Sequence, residues 1–249
     1  FLWHTWFSDV FNRQDGKNGF DIVIGNPPYI GEKGHKEIFQ PVKSDIHLGQ
    51  YYLGKMDYFY FFFHLAFNML SPSGVATFIT TNYYPTALGA RKLRADIKDR
   101  MNIKTLFNLG ELRLFENAPG QHNMISSFAK GKDGCKCQVI DVHKKGALNP
   151  IMFTSIINHT DEETTYADIA QEDLYDGEEN YIRLQNCNGD NPLSSLLEKI
   201  QLGNNTLGNI AEVNAGIMGG CDSITNHNMK YADADYIQYN DIRKDDGVF

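Results

Sequence analysis

"DIVIGNPPYI", residues 21–30, decides how the rest of the chain is read. Asp21 to Ile24 is a short apolar run rich in β-branched side chains and bounded by Gly25, the pattern of a buried strand. Asn-Pro-Pro-Tyr follows at once. Neither proline can donate a backbone hydrogen bond, so no ladder or helix continues through them. Asn26 and Pro27 each precede a proline and are driven toward extended geometry. The stretch predicts a rigid tetrapeptide at the mouth of a strand, holding an amide, a backbone carbonyl and an aromatic ring in fixed directions.

Downstream, the chain alternates strand and helix. Residues 31–54 are polar, glycine-containing and weakly periodic, which predicts a long mobile loop. Asp57 to Leu70 reads as a helix that "SPSG" (71–74) stops. "VATFITT" (75–81) is a strand, and Arg91 to Arg100 a helix carrying five cations. "IKTLFNLG" (103–110) is a strand, and "MISSFAKGKDGCKCQVIDVH" (124–143) reads as two strands joined by a turn. This order predicts an α/β fold with a mostly parallel sheet and an antiparallel hairpin at its C-terminal end. Ligands of such sheets bind beyond the carboxyl ends of the strands. NPPY, Thr80 to Tyr84 and Gly110-Glu111 lie at three such ends, which therefore converge on one cleft. Upstream of NPPY, Trp3 to Phe11 reads as the end of a helix and Arg13 to Gly19 as a polar turn.

The chain has 249 residues and 42% hydrophobic content, enough for a substantial core. The aromatic run 56–70 is too short to span a bilayer and predicts a core helix, so no membrane partner is expected. The four cysteines, Cys135, Cys137, Cys187 and Cys221, have no CxxC or zinc-type spacing. Reduced thiols, no metal and a cytoplasmic setting follow as expectations. The net charge of −8 is unevenly spread: residues 1–150 carry 18 Lys+Arg against 13 Asp+Glu, and residues 151–249 carry 5 against 18. A boundary is placed near 150 on that change. Residues 161–180 hold nine acids and no Lys or Arg, which reads as a solvated connecting region. "NPLSSLLEKI" (191–200) reads as a short helix. "GIMGG" (216–220) reads as a turn, because the spacing of a phosphate loop is absent.

NPPY suits one kind of chemistry. A planar exocyclic amine, such as N6 of adenine, has its lone pair delocalised into the ring and attacks a methyl sulfonium poorly. Two coplanar acceptors for its two protons free that lone pair, and Asn26 Oδ1 and the Pro27 carbonyl can supply them. The base must also be flipped out of its duplex and held flat, a task for a stacked ring such as Tyr29. No cysteine or histidine nucleophile is needed.

At these residues the sequence resembles the amino methyltransferases whose catalytic motif is (D/N/S)-P-P-(Y/F/W). "GFDIVIGNPPYI", the aromatic helix, "LSPSGVATFITTNYY", "LRADI", "FNLGELRLF" and "NMISSFAKG" follow in the order seen in TaqI-like N6-adenine DNA methyltransferases and type IIG-like restriction-modification polypeptides. "VNAGIMGGCDSI" (213–224) is similar to the opening of their target-recognition domain. The resemblance implies a Rossmann-like S-adenosylmethionine-dependent methyltransferase sheet over residues 1–150, an acidic connection over 151–205, and the start of an α+β DNA-specificity domain over 206–249. It implies double-stranded DNA as partner and S-adenosyl-L-methionine as cofactor. It assigns Asn26, Pro27, Pro28 and Tyr29 to catalysis, Tyr29 and Phe115 to the two faces of the flipped base, and Phe62 with Asn26 to the cofactor. Phe62 also fits a core stripe with Phe59, Phe63, Ala66 and Leu70. The basic helix 91–100 can track DNA phosphate or simply be solvated.

The family's glycine-rich cofactor loop and its acidic ribose-binding residue should precede NPPY, and they do not lie in the 25 residues before it. The expectation is therefore an incomplete, inactive C-terminal half whose N-terminal half lies in a longer parent. The alternatives are a non-catalytic DNA-specificity module, and an NPPY enzyme acting on rRNA or on protein glutamine. N4-cytosine methylation more often has Ser in the place of Asn26.

Overall fold

The structure is a computed structural model that describes residues 2–115, 122–132 and 134–184. The assigned target-recognition start, the helix read at 191–200, and the 213–224 stretch lie outside the described residues. Two short helices, α1 (Trp3–Trp6) and α2 (Ser8–Phe11), lead to β1 (Phe20–Gly25), then α3 (Lys36–Lys43), α4 (Phe59–Met69) and β2 (Leu70–Thr81). After these come α5 (Arg91–Arg100), β3 (Met101–Asn108), β4 (Leu112–Arg113), β5 (Asn123–Lys130), β6 (Cys137–Val142) and β7 (Gly146–Ala147). The described chain closes with α6 (Pro150–Ile157), β8 (Thr164–Ile169), β9 (Tyr175–Asp176) and β10 (Tyr181–Ile182).

Six strands form one sheet in the order β1-β2-β5-β3-β6-β8. β1 and β2 are parallel, as are β3 and β6, while β5 and β8 run against their neighbours. Four of the six strands thus point one way, joined by helical crossovers through α4 and α5, in the Rossmann-like α/β manner the sequence predicts. The two strands read over 124–143 do run antiparallel, as β5 and β6, but they are not a paired hairpin. β3 inserts between them, antiparallel to β5 and parallel to β6. β3 is buried along most of its length, as suits a central position with a partner on each side.

The core is aromatic. Phe59, Phe63 and Phe67 recur every four residues on α4 and are fully buried. Phe63 stacks on Phe78 of β2 at 4.7 Å and meets Phe128 of β5 edge-on at 5.4 Å. Offset and edge-to-face pairs of this kind each add about 0.5–1.5 kcal/mol beyond the area they bury. Gly25 ends β1 under the Phe78 ring, and a Cβ there would meet that ring at 2.7 Å.

Three expectations are corrected. Residues 31–54 are not a structureless loop: they contain α3 and a 3-10 turn at Gly49–Tyr51. Phe39 and Val42, three residues apart, anchor α3 in the core, and Tyr51 stacks on the buried His64 at 3.6 Å. Eight residues with an internal Pro41 are too short and too interrupted a run for a sequence to reveal a helix. Next, the basic helix α5 is not simply a solvated face: Arg91 and Lys98 are exposed, but its cations are engaged within the protein. Arg94 is fully buried and donates to the carbonyls of Tyr84, Ala87 and Glu179 at 2.6–3.0 Å. Arg91 pairs with Glu179, Lys98 donates to Asn180, and Arg100 pairs with Asp96. Finally, the composition change near 150 is not a break in packing. β8 completes the sheet against β6, and the first compact unit runs from Phe1 to Asn191. Acidic residues of 161–180 pair with bases from the first part, Asp161 with Lys144 and Glu179 with Arg91. Among the described residues, no helix is long and apolar enough to cross a membrane.

Candidate active site

The carboxyl ends of β1, β2, β3 and β6 and the amino end of β5 share one edge of the sheet. The register fixes this: Gly25 lies beside Phe78, Thr81 beside Asn123, and Asn108 between Met124 and Asp141. β1 therefore stops three residues short of the end of β2, and NPPY runs on alongside residues 79–81.

Within the tetrapeptide, Asn26 and Pro28 are exposed, Pro27 is buried, and Tyr29 is half-buried. The Tyr29 hydroxyl lies 2.7 Å from Asn26 Oδ1 and 3.0 Å from the Ile79 carbonyl. The hydroxyl has one proton, so the two acceptors share or alternate in it. This ties the tip of NPPY to β2 and sets the ring against Phe59 of α4, edge-on at 6.1 Å. Burial pushes the Tyr29 phenol above its ordinary value, so it is a neutral donor at physiological pH. Asn26 Oδ1 has two lone pairs and keeps one for a further donor while it accepts from Tyr29.

Beyond NPPY the cleft edge is built from amides. Asn82 donates to Asn108 Oδ1 at 2.9 Å, and Asn108 donates to Asp141 Oδ1 at 2.7 Å. Gly110 N–H also donates to Asn108 Oδ1, at 3.2 Å. His122 Nδ1 sits 2.9 Å from the Gly110 carbonyl, which can only accept, so Nδ1 carries the proton. Asn108, Asn123 and Asp141 are buried, and their hydrogen bonds lock the ends of β2, β3, β5 and β6 together. Sequence reading missed these three. The signal was a polar residue closing an otherwise apolar strand, in "FNLG", "HNMI" and "VIDV".

Of the other assigned residues, Phe62 is half-buried and meets Tyr58 at 6.0 Å, while Phe59, Phe63, Ala66 and Leu70 are buried in the core. Its ring therefore stands apart from the stripe it was grouped with. Phe115 is half-buried and follows β4. At the other side of NPPY, β1 is the edge of the sheet and not the buried strand its apolar run predicts: Ile22 and Ile24 are 68% and 78% exposed.

The type II methyltransferase M.HincII of Haemophilus influenzae is 25% identical over 133 residues, covering 53% of this chain and 26% of the relative. M.HindII from the H. influenzae Rd strain matches to the same extent. The chain thus spans about a quarter of the length of the curated relatives it matches. Among solved structures, the M protein of the type I restriction enzyme EcoKI is similar with a TM-score of 0.49 and 15% identity, over 76% of this chain and 48% of that one. The type IIG restriction endonuclease BpuSI is similar with a TM-score of 0.43 and 16% identity, over 64% of this chain and 20% of that one. Residues 1–115 match the family model described as Eco57I restriction-modification methylase, the kind of family that NPPY and the motifs after it imply.

Proposed function

We propose that this chain is part of a site-specific DNA methyltransferase of a restriction-modification system, acting on N6 of a flipped adenine. The observation that carries the reading is the fixed constellation at the end of β1. An exposed Asn26 amide lies beside a Tyr29 ring whose hydroxyl is held by Asn26 and by the Ile79 carbonyl.

In this reading Tyr29 stacks on the extruded base and resists its return to the duplex. Asn26 Oδ1 and the Pro27 carbonyl accept the two amine hydrogens, which draws the nitrogen lone pair out of ring conjugation and aims it out of the base plane. The departing proton leaves along the hydrogen bond to one of these acceptors and passes to water. Because the tether to β2 is made before substrate arrives, the acceptors need little reorganisation at the moment of reaction. Phe115 is assigned the second face of the base.

S-adenosyl-L-methionine is proposed as the cofactor, and when bound it supplies an electrophilic methyl group. The residues present fit one wall of such a site: Phe62 offers a partly exposed ring outside the core stripe. The remaining wall is assigned to a preceding half of the methyltransferase domain. The open edge of β1, with Ile22 and Ile24 uncovered, supports that assignment.

The test uses the full-length parent protein, radiolabelled S-adenosylmethionine and unmethylated DNA. Label recovered as N6-methyladenine, and lost in Asn26→Ala, is the expected result. Label in RNA or protein, or as N4-methylcytosine, would overturn the substrate assignment.

A further inference from the structure

Directly after NPPY the chain forms a basic hollow, and we propose that it seats the DNA backbone next to the target nucleotide. Lys33, Lys36, Lys43 and Lys55 surround a cavity of about 800 Å³, with the buried Met56 among its walls. Among the described residues no ion pair engages any of the four; Lys43 lies 5.0 Å over the Tyr52 ring instead. Glu32 and Asp57 also line the hollow; Glu32 accepts from the Tyr52 hydroxyl, and Asp57 from the Tyr60 hydroxyl at 3.2 Å. Four ammonium groups against two carboxylates leave the lining with a net positive charge.

It is also a built feature. Lys55 has φ 51°, a left-handed conformation that costs a lysine free energy and persists only where its surroundings enforce it. Gly89 is the enforcing contact: a Cβ there would stand 2.0 Å from the Lys55 carbonyl, so only glycine lets that turn dock. Lys92 holds the same turn by donating to the Tyr52 carbonyl at 2.9 Å. Backbone bonds of 2.8 Å from Glu32 to Met56 and from Tyr58 to Ile30 stitch the turn to the segment leaving NPPY.

Position supplies the ligand. Gly31, on the rim, is two residues after Tyr29, at most about 7 Å of chain away. A strand whose base is stacked on Tyr29 must pass its flanking phosphates near that rim. Lysine is a point charge that binds phosphate without reading bases, so the hollow fixes register rather than sequence. The cations of α5, which sequence alone offered for this task, are engaged within the protein. The inference deepens the proposed function and rests on it.

The full-length protein carrying Lys33→Gln, Lys36→Gln and Lys55→Gln together is titrated with a fluorescent duplex at several salt concentrations. The slope of log Kd against log salt is expected to fall by about 0.9 for each lysine that seats a phosphate. S-adenosylmethionine affinity stays unchanged, as does the slope in Lys17→Gln, which lies outside the hollow. Lys36→Gln alone should lower the slope by about one such step, which guards against a folding defect in the triple variant. An unchanged slope in both variants, with wild-type binding and methylation intact, overturns the hollow and leaves the function standing. Wild-type protein that binds no duplex overturns both. Loss of tripolyphosphate binding in the variants with an unchanged duplex slope would assign the hollow to a free polyanion and overturn the DNA seat.

Discussion

Replacing Tyr29 by Phe separates the two jobs assigned to this residue, because the ring stays and the hydroxyl goes. The hydroxyl has two acceptors, Asn26 Oδ1 at 2.7 Å and the Ile79 carbonyl at 3.0 Å, but only one proton, so one net hydrogen bond is lost. Such a bond contributes about 0.5–1.5 kcal/mol to stability. The Ile79 carbonyl and Asn26 keep access to other donors, which holds the cost near 1 kcal/mol. For a chain of this size that is a fall in melting temperature of about 2–4 °C. If the same bond pre-orients Asn26, methyl transfer should fall no more than about tenfold, the equivalent of about 1.4 kcal/mol. Asn26→Ala should behave in the opposite way. Its side chain is exposed, so stability should barely change, while removal of an acceptor needed in the transition state should cost about 10²–10³ in rate. Thermal melts and single-turnover methylation of the full-length protein measure both variants. A Tyr29→Phe protein that loses more than a hundredfold in rate, or an Asn26→Ala protein that melts several degrees lower at full rate, would refute the tether reasoning.

Three other outcomes are expected. Arg94→Lys should destabilise by about 3–5 kcal/mol in denaturant unfolding, since a buried guanidinium serving three carbonyls cannot be matched by a shorter-reaching ammonium. Phe63→Ala should cost about 3–5 kcal/mol by the same measurement, because its ring touches five other buried rings, those of Phe59, Phe67, Phe78, Tyr84 and Phe128. Stability should fall as pH drops below the usual imidazole range near 6.5, because burial lowers the His64 pKa, with Asp96 as its hydrogen-bonded neighbour. In that window the unfolded chain binds a proton that the folded chain refuses, so the slope of stability against pH is positive, and His64→Gln should flatten it.

The residues of the candidate site were legible because their constraints are local. Two adjacent prolines dictate extended backbone whatever surrounds them, so Asn26 and Tyr29 could be singled out from ten letters. The alternation of strand and helix from β1 to β3 was legible for the same reason, through apolar runs and their turns. What escaped were arrangements set by distant partners. Asn108, Asn123 and Asp141 are ordinary residues until β2, β3, β5 and β6 bring their ends together. α3 is held by Phe39 and Val42 reaching into a core that its own sequence does not contain.

The sequence by itself determined the strand that runs into NPPY, the α/β order of elements, and the type of chemistry an amide, a carbonyl and a ring can perform together. Only the tertiary structure decided that β3 separates β5 from β6. The same is true of the charge on α5, which is absorbed by carbonyls and by the acidic stretch near 161–180. It likewise decided that four lysines, with no ion pair among the described residues, gather around one hollow that Gly31 borders. The physical reason is one of range. Backbone sterics and side-chain periodicity act over a few residues and are written in order along the chain. Strand insertion and charge compensation depend on groups far apart in sequence, whose meeting is settled by packing.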